Sequence, residues 1–233
     1  MMRCEFAAML GFAACLIFPG SPAMARTAPF KPGETIRYAI KQAAVKVGEA
    51  SLVFKGEQEV DGKKLALVIF TSRGFNFFDE ERIFLDPDTY LPRTVVRDLN
   101  IFGSREKITE EYEAGGKGIK VTKISDGKTT VKTIAKNGDV DNIYGFIYRY
   151  RRQGEFRKDE KFDLRLPTLD VTMQDVGDVS FNAAGKTYLS ALLRSVPAKY
   201  SVWIDKSDLR LPLRIAGAVG IANTVMTMIG YEP

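Results

Sequence analysis

The chain has 233 residues, with 34 Lys and Arg against 29 Asp and Glu, no histidine, and two cysteines at Cys4 and Cys15. Both cysteines fall in a segment that reads as a removable leader, so the rest of the chain offers no thiol nucleophile, disulfide, Ser-His relay or ordinary zinc site. A net charge of +5 suits solubility and mild attraction to an anionic membrane surface, and it falls short of a nucleic-acid footprint.

The leader covers residues 1–25. Arg3 supplies the basic start, Phe6 to Phe18 the apolar run, and Ala23-Met24-Ala25 the small residues before a cut after Ala25. The apolar run is too short to span a bilayer, and Pro19-Gly20 ends it at once. A rival cut lies at Phe12-Ala13-Ala14-Cys15, where Cys15 would be lipidated. Either cut sends the chain out of the cytoplasm, and cleavage after Ala25 implies the periplasm. Residues 26–233 are long enough for one β-rich domain with a sizeable core, and no later segment is apolar enough to cross a membrane.

Beyond Phe30 the chain alternates apolar and polar residues in short runs, the pattern of antiparallel sheet. A strand over Glu34 to Lys41 comes first. Asp61-Gly62 then turns Ala50–Val60 back on Lys63–Thr71 in a hairpin, because a type I′ turn needs positive φ at both central residues. Strands follow at Glu81–Leu85, Arg93–Leu99 and Arg105–Glu113, and Asp126-Gly127 turns Ile119–Ser125 on Lys128–Ile134. One helix interrupts the series: Asp141 can cap it, Ile143, Phe146, Ile147 and Tyr150 form an apolar stripe, and Gly154 stops it. Arg149, Arg151 and Arg152 then sit near the negative end of its dipole. Strands resume at Lys161–Leu166, Thr168–Val176, Val179–Asn182, Lys186–Ser195, Lys199–Asp205, Leu213–Ala216 and Ile221–Met228. So many strands predict a mainly β fold whose strongly bent antiparallel sheet forms an incomplete barrel, with the helix covering the concave face.

Two stretches share a pattern, Phe84-Leu85-Asp86 to Leu91-Pro92-Arg93 and Trp203-Ile204-Asp205 to Leu211-Pro212-Leu213. In each a strand ends at Asp, a turn follows, and Leu-Pro opens the next strand, where Pro costs no ladder bond. The second copy resembles the late hairpin of the periplasmic lipoprotein carriers and outer-membrane lipoprotein receptors. With Pro32-Gly33-Glu34-Thr35-Ile36-Arg37-Tyr38, Gly48-Glu49-Ala50, Phe84 to Pro92 and Asp141 to Arg149, the chain also resembles an exported bacterial family catalogued as a domain of unknown function. That resemblance implies a half-open barrel able to hold an acyl chain. It carries over no catalytic residue.

The candidate ligand-binding residues are aromatic. Phe75, Phe77 and Phe78 stand beside an acidic run and predict a greasy lip, with Phe102 on the facing lip and Phe146, Tyr150 and Trp203 lining the interior. Lys117, Lys120, Lys123, Lys128, Lys132 and Lys136, with Asp126 as the one acid among them, make a hairpin that either meets anionic lipid or guards a sheet edge. Carboxylate pairs (Asp79 and Glu80, Glu110 and Glu111, Asp139 and Asp141, Asp163 and Asp170) and the early Glu34 and Glu49 leave a His-free hydrolase open. No phosphate loop, nucleophile elbow or metal spacing is present, so no cofactor is expected. The expectation is a non-enzymatic periplasmic envelope protein binding a hydrophobic or lipid ligand. The alternatives are an interaction module that binds another envelope protein, and the hydrolase.

Overall fold

The computed structural model describes residues 28–113, 115–116, 118–219 and 224–233. The leader, with Cys4, Cys15 and both cleavage sites, lies outside the described residues, as does Lys117. Fourteen antiparallel strands form one continuous open sheet, as the alternation predicts, in the order β8-β7-β6-β5-β4-β3-β2-β1-β14-β13-β12-β11-β10-β9. The first meander runs through β1 Thr35–Gln42, β2 Val45–Val60, β3 Lys63–Gly74, β4 Phe77–Leu85, β5 Pro92–Ile101 and β6 Ser104–Tyr112. β7 Gly118–Ser125 and β8 Lys128–Ala135 extend it to one free edge. After the helix α1, Ile143–Gln153, a second meander follows: β9 Lys161–Arg165, β10 Asp170–Ala183, β11 Lys186–Val196, β12 Ser201–Asp205, β13 Pro212–Ala216 and β14 Thr224–Glu232. Pairing of β14 with β1 welds the two meanders into one sheet.

The turn chemistry explains the strand breaks. Asp61-Gly62 and Asp126-Gly127 both carry positive φ at their two central residues, as type I′ turns require. Thr168–Val176 and Val179–Asn182 are one strand, β10, because the Gly177 irregularity is a bulge between Asp175 and Asp178 that bends the strand without ending it. The lysine hairpin forms the free edge, and β8 is exposed along nearly its whole length. Lys120 and Lys123 are paired across the sheet with Glu111 at 2.9 Å and Glu106 at 2.6 Å on β6, and Lys136 with Asp170 at 2.7 Å. The acids missing from the hairpin's own sequence come from neighbouring strands.

The sheet bends far enough for a single segment to touch both of its flanks. Gly138 N–H donates to Gly116 O (3.0 Å) beyond β6, and Asp141 N–H donates to Arg165 O (2.7 Å) at the end of β9. That segment leads into α1, whose cap is Asn142: its side chain accepts from the N–H groups of Tyr144 and Gly145, while Asp141 pairs with Arg149 at 2.6 Å. The apolar stripe is buried as expected, yet Tyr144, Gly145, Tyr148 and Arg151 are buried as well, so the helix is wrapped rather than laid on a surface. Gly145 permits this closeness, since a Cβ there would stand 3.0 Å from both Leu85 and Tyr90 O. The core is the concave sheet face together with the helix, including a ring cluster in which Phe30 meets Phe54 at 4.8 Å and Tyr148 at 4.9 Å.

Arg151 has no exposed surface, and neither does its partner Glu34. Two guanidinium nitrogens donate to the two Glu34 oxygens at 2.7 and 2.8 Å, and the remaining donors reach Arg210 O (2.9 Å) and Leu209 O (3.1 Å) in the β12–β13 turn. Arg210 returns the contact, donating to Arg151 O and Gly154 O and so satisfying carbonyls at the helix end. The neighbouring Arg152 donates to Pro87 O (2.7 Å) in the β4–β5 turn. The two Asp-to-Leu-Pro segments are therefore a matched pair of docking turns, each between the fourth and fifth strands of its meander and each gripping one of two consecutive arginines. Tyr90 and Arg210, the residues before Leu-Pro, both take positive φ and are both buried.

Replacing Arg151 by Met strands a buried carboxylate at Glu34, and breaking a buried pair in this way costs about 3–5 kcal/mol. Urea unfolding is expected to show that loss, and Glu34→Leu with Arg151→Met together to recover most of it.

Candidate functional site

Antiparallel order places the β1–β2, β3–β4, β5–β6 and β7–β8 turns side by side at one end of the sheet. Among the described residues, the most exposed large apolar groups lie there. Phe75 is 87% exposed and Phe102 79%, with Val45 at 65% on the next turn. Phe102 N–H donates to Asn76 O at 2.8 Å, so the two aromatic tips are locked together by their backbones. A solvent-exposed phenylalanine gains little from its own fold, and here two are fixed side by side.

The other aromatic candidates separate. Phe77 turns inward and lies on backbone: a Cβ on Gly74 would meet its ring at 1.9 Å and one on Gly48 at 3.0 Å, which is why both positions are glycine. Phe78 turns to the outer face under Arg73, whose guanidinium carbon is 5.0 Å from the ring centroid. It lines an open groove of about 550 Å³ with Leu99, Ile124, Arg105 and Lys107, directly beside the lip. Phe146 and Tyr150 are 2% exposed and packed against Phe162 and, for Tyr150, Phe156. Trp203 stands on the opposite face of β12 from the core residues Val202 and Ile204, with Arg214 4.7 Å above its ring and Phe181 alongside. Phe75 and Phe102 are thus brought together, with Phe77 and Phe78 close by, whereas Phe146, Tyr150 and Trp203 lie elsewhere.

A second feature lies on the concave face a few residues from the lip. Glu81 is opposite Arg97 in the β4–β5 register, and Asp79 opposite Ser72 in the β3–β4 register. Arg97 donates to both Asp79 oxygens, at 2.7 and 2.5 Å, and stands 3.5 Å from Glu81. Glu110 on β6 joins them and accepts from Tyr112 Oη at 2.5 Å. Burial raises the Glu81 carboxyl to about 7, with Arg97 offsetting part of that rise and the neighbouring Asp79 and Glu110 adding to it. Burial also pushes up Glu110, and with it the hydroxyls of Tyr112 and Tyr144.

None of the adjacent carboxylate pairs supplies this cluster, because neighbours on a strand point to opposite faces. Glu34 is taken by Arg151, and Glu49 is an exposed partner of Lys46. The legible signal was parity: Asp79 and Glu81 are two apart on one strand, and hairpin register adds Arg97 and Glu110. Among the described residues, no group of three or more potential ligands is placed to hold a metal ion.

Compared with known proteins, the chain matches no family model, no curated protein and no solved structure.

Glu81 is raised from 4.5 to about 7 in the fold, so the stabilising protonated form is complete below about 4.5 and is lost as pH rises through about 7. Stability measured by urea unfolding from pH 4.5 to 8 is expected to carry this downward contribution, and Glu81→Gln to remove it from the pH profile.

Proposed function

We propose that this is a non-enzymatic periplasmic envelope protein that engages lipid through the end of the sheet carrying Phe75 and Phe102. The observation that carries the reading is the pair of phenylalanines, 87% and 79% exposed, held side by side by the Phe102 to Asn76 backbone bond. The adjoining groove offers Phe78 and Ile124 to an acyl chain, and its polar lining mixes Arg105 and Lys107 with Asp98, Glu106 and Asp126, which suits a head group carrying both charges. The tight aromatic packing around Phe146 and Tyr150 favours binding at this rim over binding deep behind the helix. The same exposed pair would serve an interaction module that grips another envelope protein, and a lip that ignores lipid would favour that reading.

The test is sedimentation with vesicles of phosphatidylglycerol and phosphatidylcholine. Burying one phenylalanine is worth about 2 kcal/mol, so Phe75→Ser and Phe102→Ser are each expected to weaken partitioning by roughly tenfold or more, with unchanged unfolding midpoints. Equal partitioning of the double variant and the original protein would refute lipid docking at this end.

A further inference from the structure

The concave cluster carries an inference that does not depend on the lip. Its charges do not balance. Arg97 makes two hydrogen bonds to Asp79 and stands 3.5 Å from Glu81, Asn142 also hydrogen-bonds Glu81, Tyr112 donates to Glu110, and Asp141 pairs with Arg149, so three carboxyls share one guanidinium and Glu81 and Glu110 face the same space. A second observation points to a missing guest: Ser72 Oγ is fully buried and has no hydrogen-bond partner among the described residues. Ser72 is the directly opposite partner of Asp79, so both side chains leave the same face of the sheet and meet the cluster. A buried hydroxyl without a partner is unfavourable in the protein by itself.

Aromatic groups surround these carboxylates. Tyr112 bonds to Glu110, Tyr144 stacks on Phe70 with centroids 4.4 Å apart, and both hydroxyls, with that of Tyr200 from the opposite meander, feel the charge of Glu81. Carboxylates framed by aromatic rings recognise positively charged nitrogen, since Coulomb attraction and the negative faces of the rings act together. The same field disfavours fatty acids and free phosphate. Glu81 lies four residues down β4 from Phe77, roughly 13 Å at the strand rise, and its side chain keeps 13% exposure while Arg97 keeps 28%. The cluster is therefore recessed but not sealed.

We propose that Ser72, Asp79, Glu81, Arg97 and Glu110 form a binding site for a small ammonium group, primary or quaternary, whose accompanying hydroxyl meets Ser72 Oγ. The cationic nitrogen sits between Glu81 and Glu110, and Arg97 stays hydrogen-bonded to Asp79 at the floor. The groups facing Glu81 are Arg97 and Asp79 from the sheet, Glu110 and Tyr112 from β6, Tyr144 from the helix with Asp141 close by, the helix cap Asn142, which hydrogen-bonds the carboxyl, and Tyr200 from the loop before β12. Among them the carboxyl of Glu81 changes charge near neutrality, so binding strengthens as pH rises through about 7.

The experiment is an NMR titration of the purified protein with choline, with ethanolamine, and with 3,3-dimethyl-1-butanol, the uncharged isostere of choline, at pH 6 and pH 8. Saturable binding of choline or ethanolamine is expected, roughly tenfold tighter at pH 8 than at pH 6 as the Glu81 charge develops. The isostere is expected to bind at least about tenfold more weakly, and shifts to map to residues 79–81, 97 and 110. Glu81→Gln, and independently Glu110→Gln, should each weaken binding by about tenfold or more while giving a native spectrum, and Glu81→Gln should also erase the pH dependence. Equal binding of the isostere, shifts mapping elsewhere, or no saturable response to either amine would overturn the assignment. Vesicle binding through Phe75 and Phe102 would survive that failure.

Discussion

A guanidinium with no exposed surface dictates how this fold is put together. Arg151 on α1 cannot be buried unless its charge and its N–H donors are satisfied, and the partners come from three places: Glu34 before β1, the carbonyls of Leu209 and Arg210 in the β12–β13 turn, and the rings of Phe30 and Tyr148 at 4.9 and 5.1 Å. Since β1 joins the first meander to the second, the helix, the seam of the sheet and a turn of the second meander share one set of bonds. Such a pair adds little net stability over a well-packed apolar substitute, but it specifies one placement, because any slip of the helix by a residue would bury a bare charge. Arg152 makes the corresponding contact to the first meander through Pro87 O. The bend of the sheet is held where both meanders converge on consecutive arginines.

With the helix wrapped in this way, its side chains are part of the core, and the most exposed aromatic groups among the described residues lie at the turns. The same alternation that buries one side of β3, β4 and β5 near the helix puts carboxylates on that side nearer the lip, beside the N-terminal turn of the helix. Apolar exposure at the tips and acidic charge in the recess are thus adjacent and chemically opposite. The lipid proposed for the one and the ammonium group proposed for the other are recognised by different forces, so the two proposals are open to separate dissection.

Much of the architecture was legible because strand alternation and turn residues act locally. Asp61-Gly62 and Asp126-Gly127 announced their hairpins, and the matched Asp-to-Leu-Pro segments announced equivalent turns, although nothing local said that both would hold the helix end. The stripe of Ile143, Phe146, Ile147 and Tyr150 gave the helix but understated its burial, since Arg151 reads as a surface residue until Glu34 arrives from 117 positions away. The lysine hairpin looked more basic than it is for the same reason, its counter-charges being on β6 and β10. Among the site residues, Phe75 and Phe102 were visible as unusual turn aromatics. The cluster of Asp79, Glu81, Arg97 and Glu110 was hidden, because adjacency in sequence separates residues across a strand while hairpin register unites distant ones.

Native-state hydrogen exchange tests the central claim most directly, because it reads whether the helix, the seam and the docking turn open as one unit. The account predicts that amides of α1, β1 and β12–β13 exchange together, with the free energy of global unfolding, while the exposed β7–β8 hairpin exchanges earlier by local opening. Helix amides that exchange well before those of β1, with the sheet still protected, would contradict it.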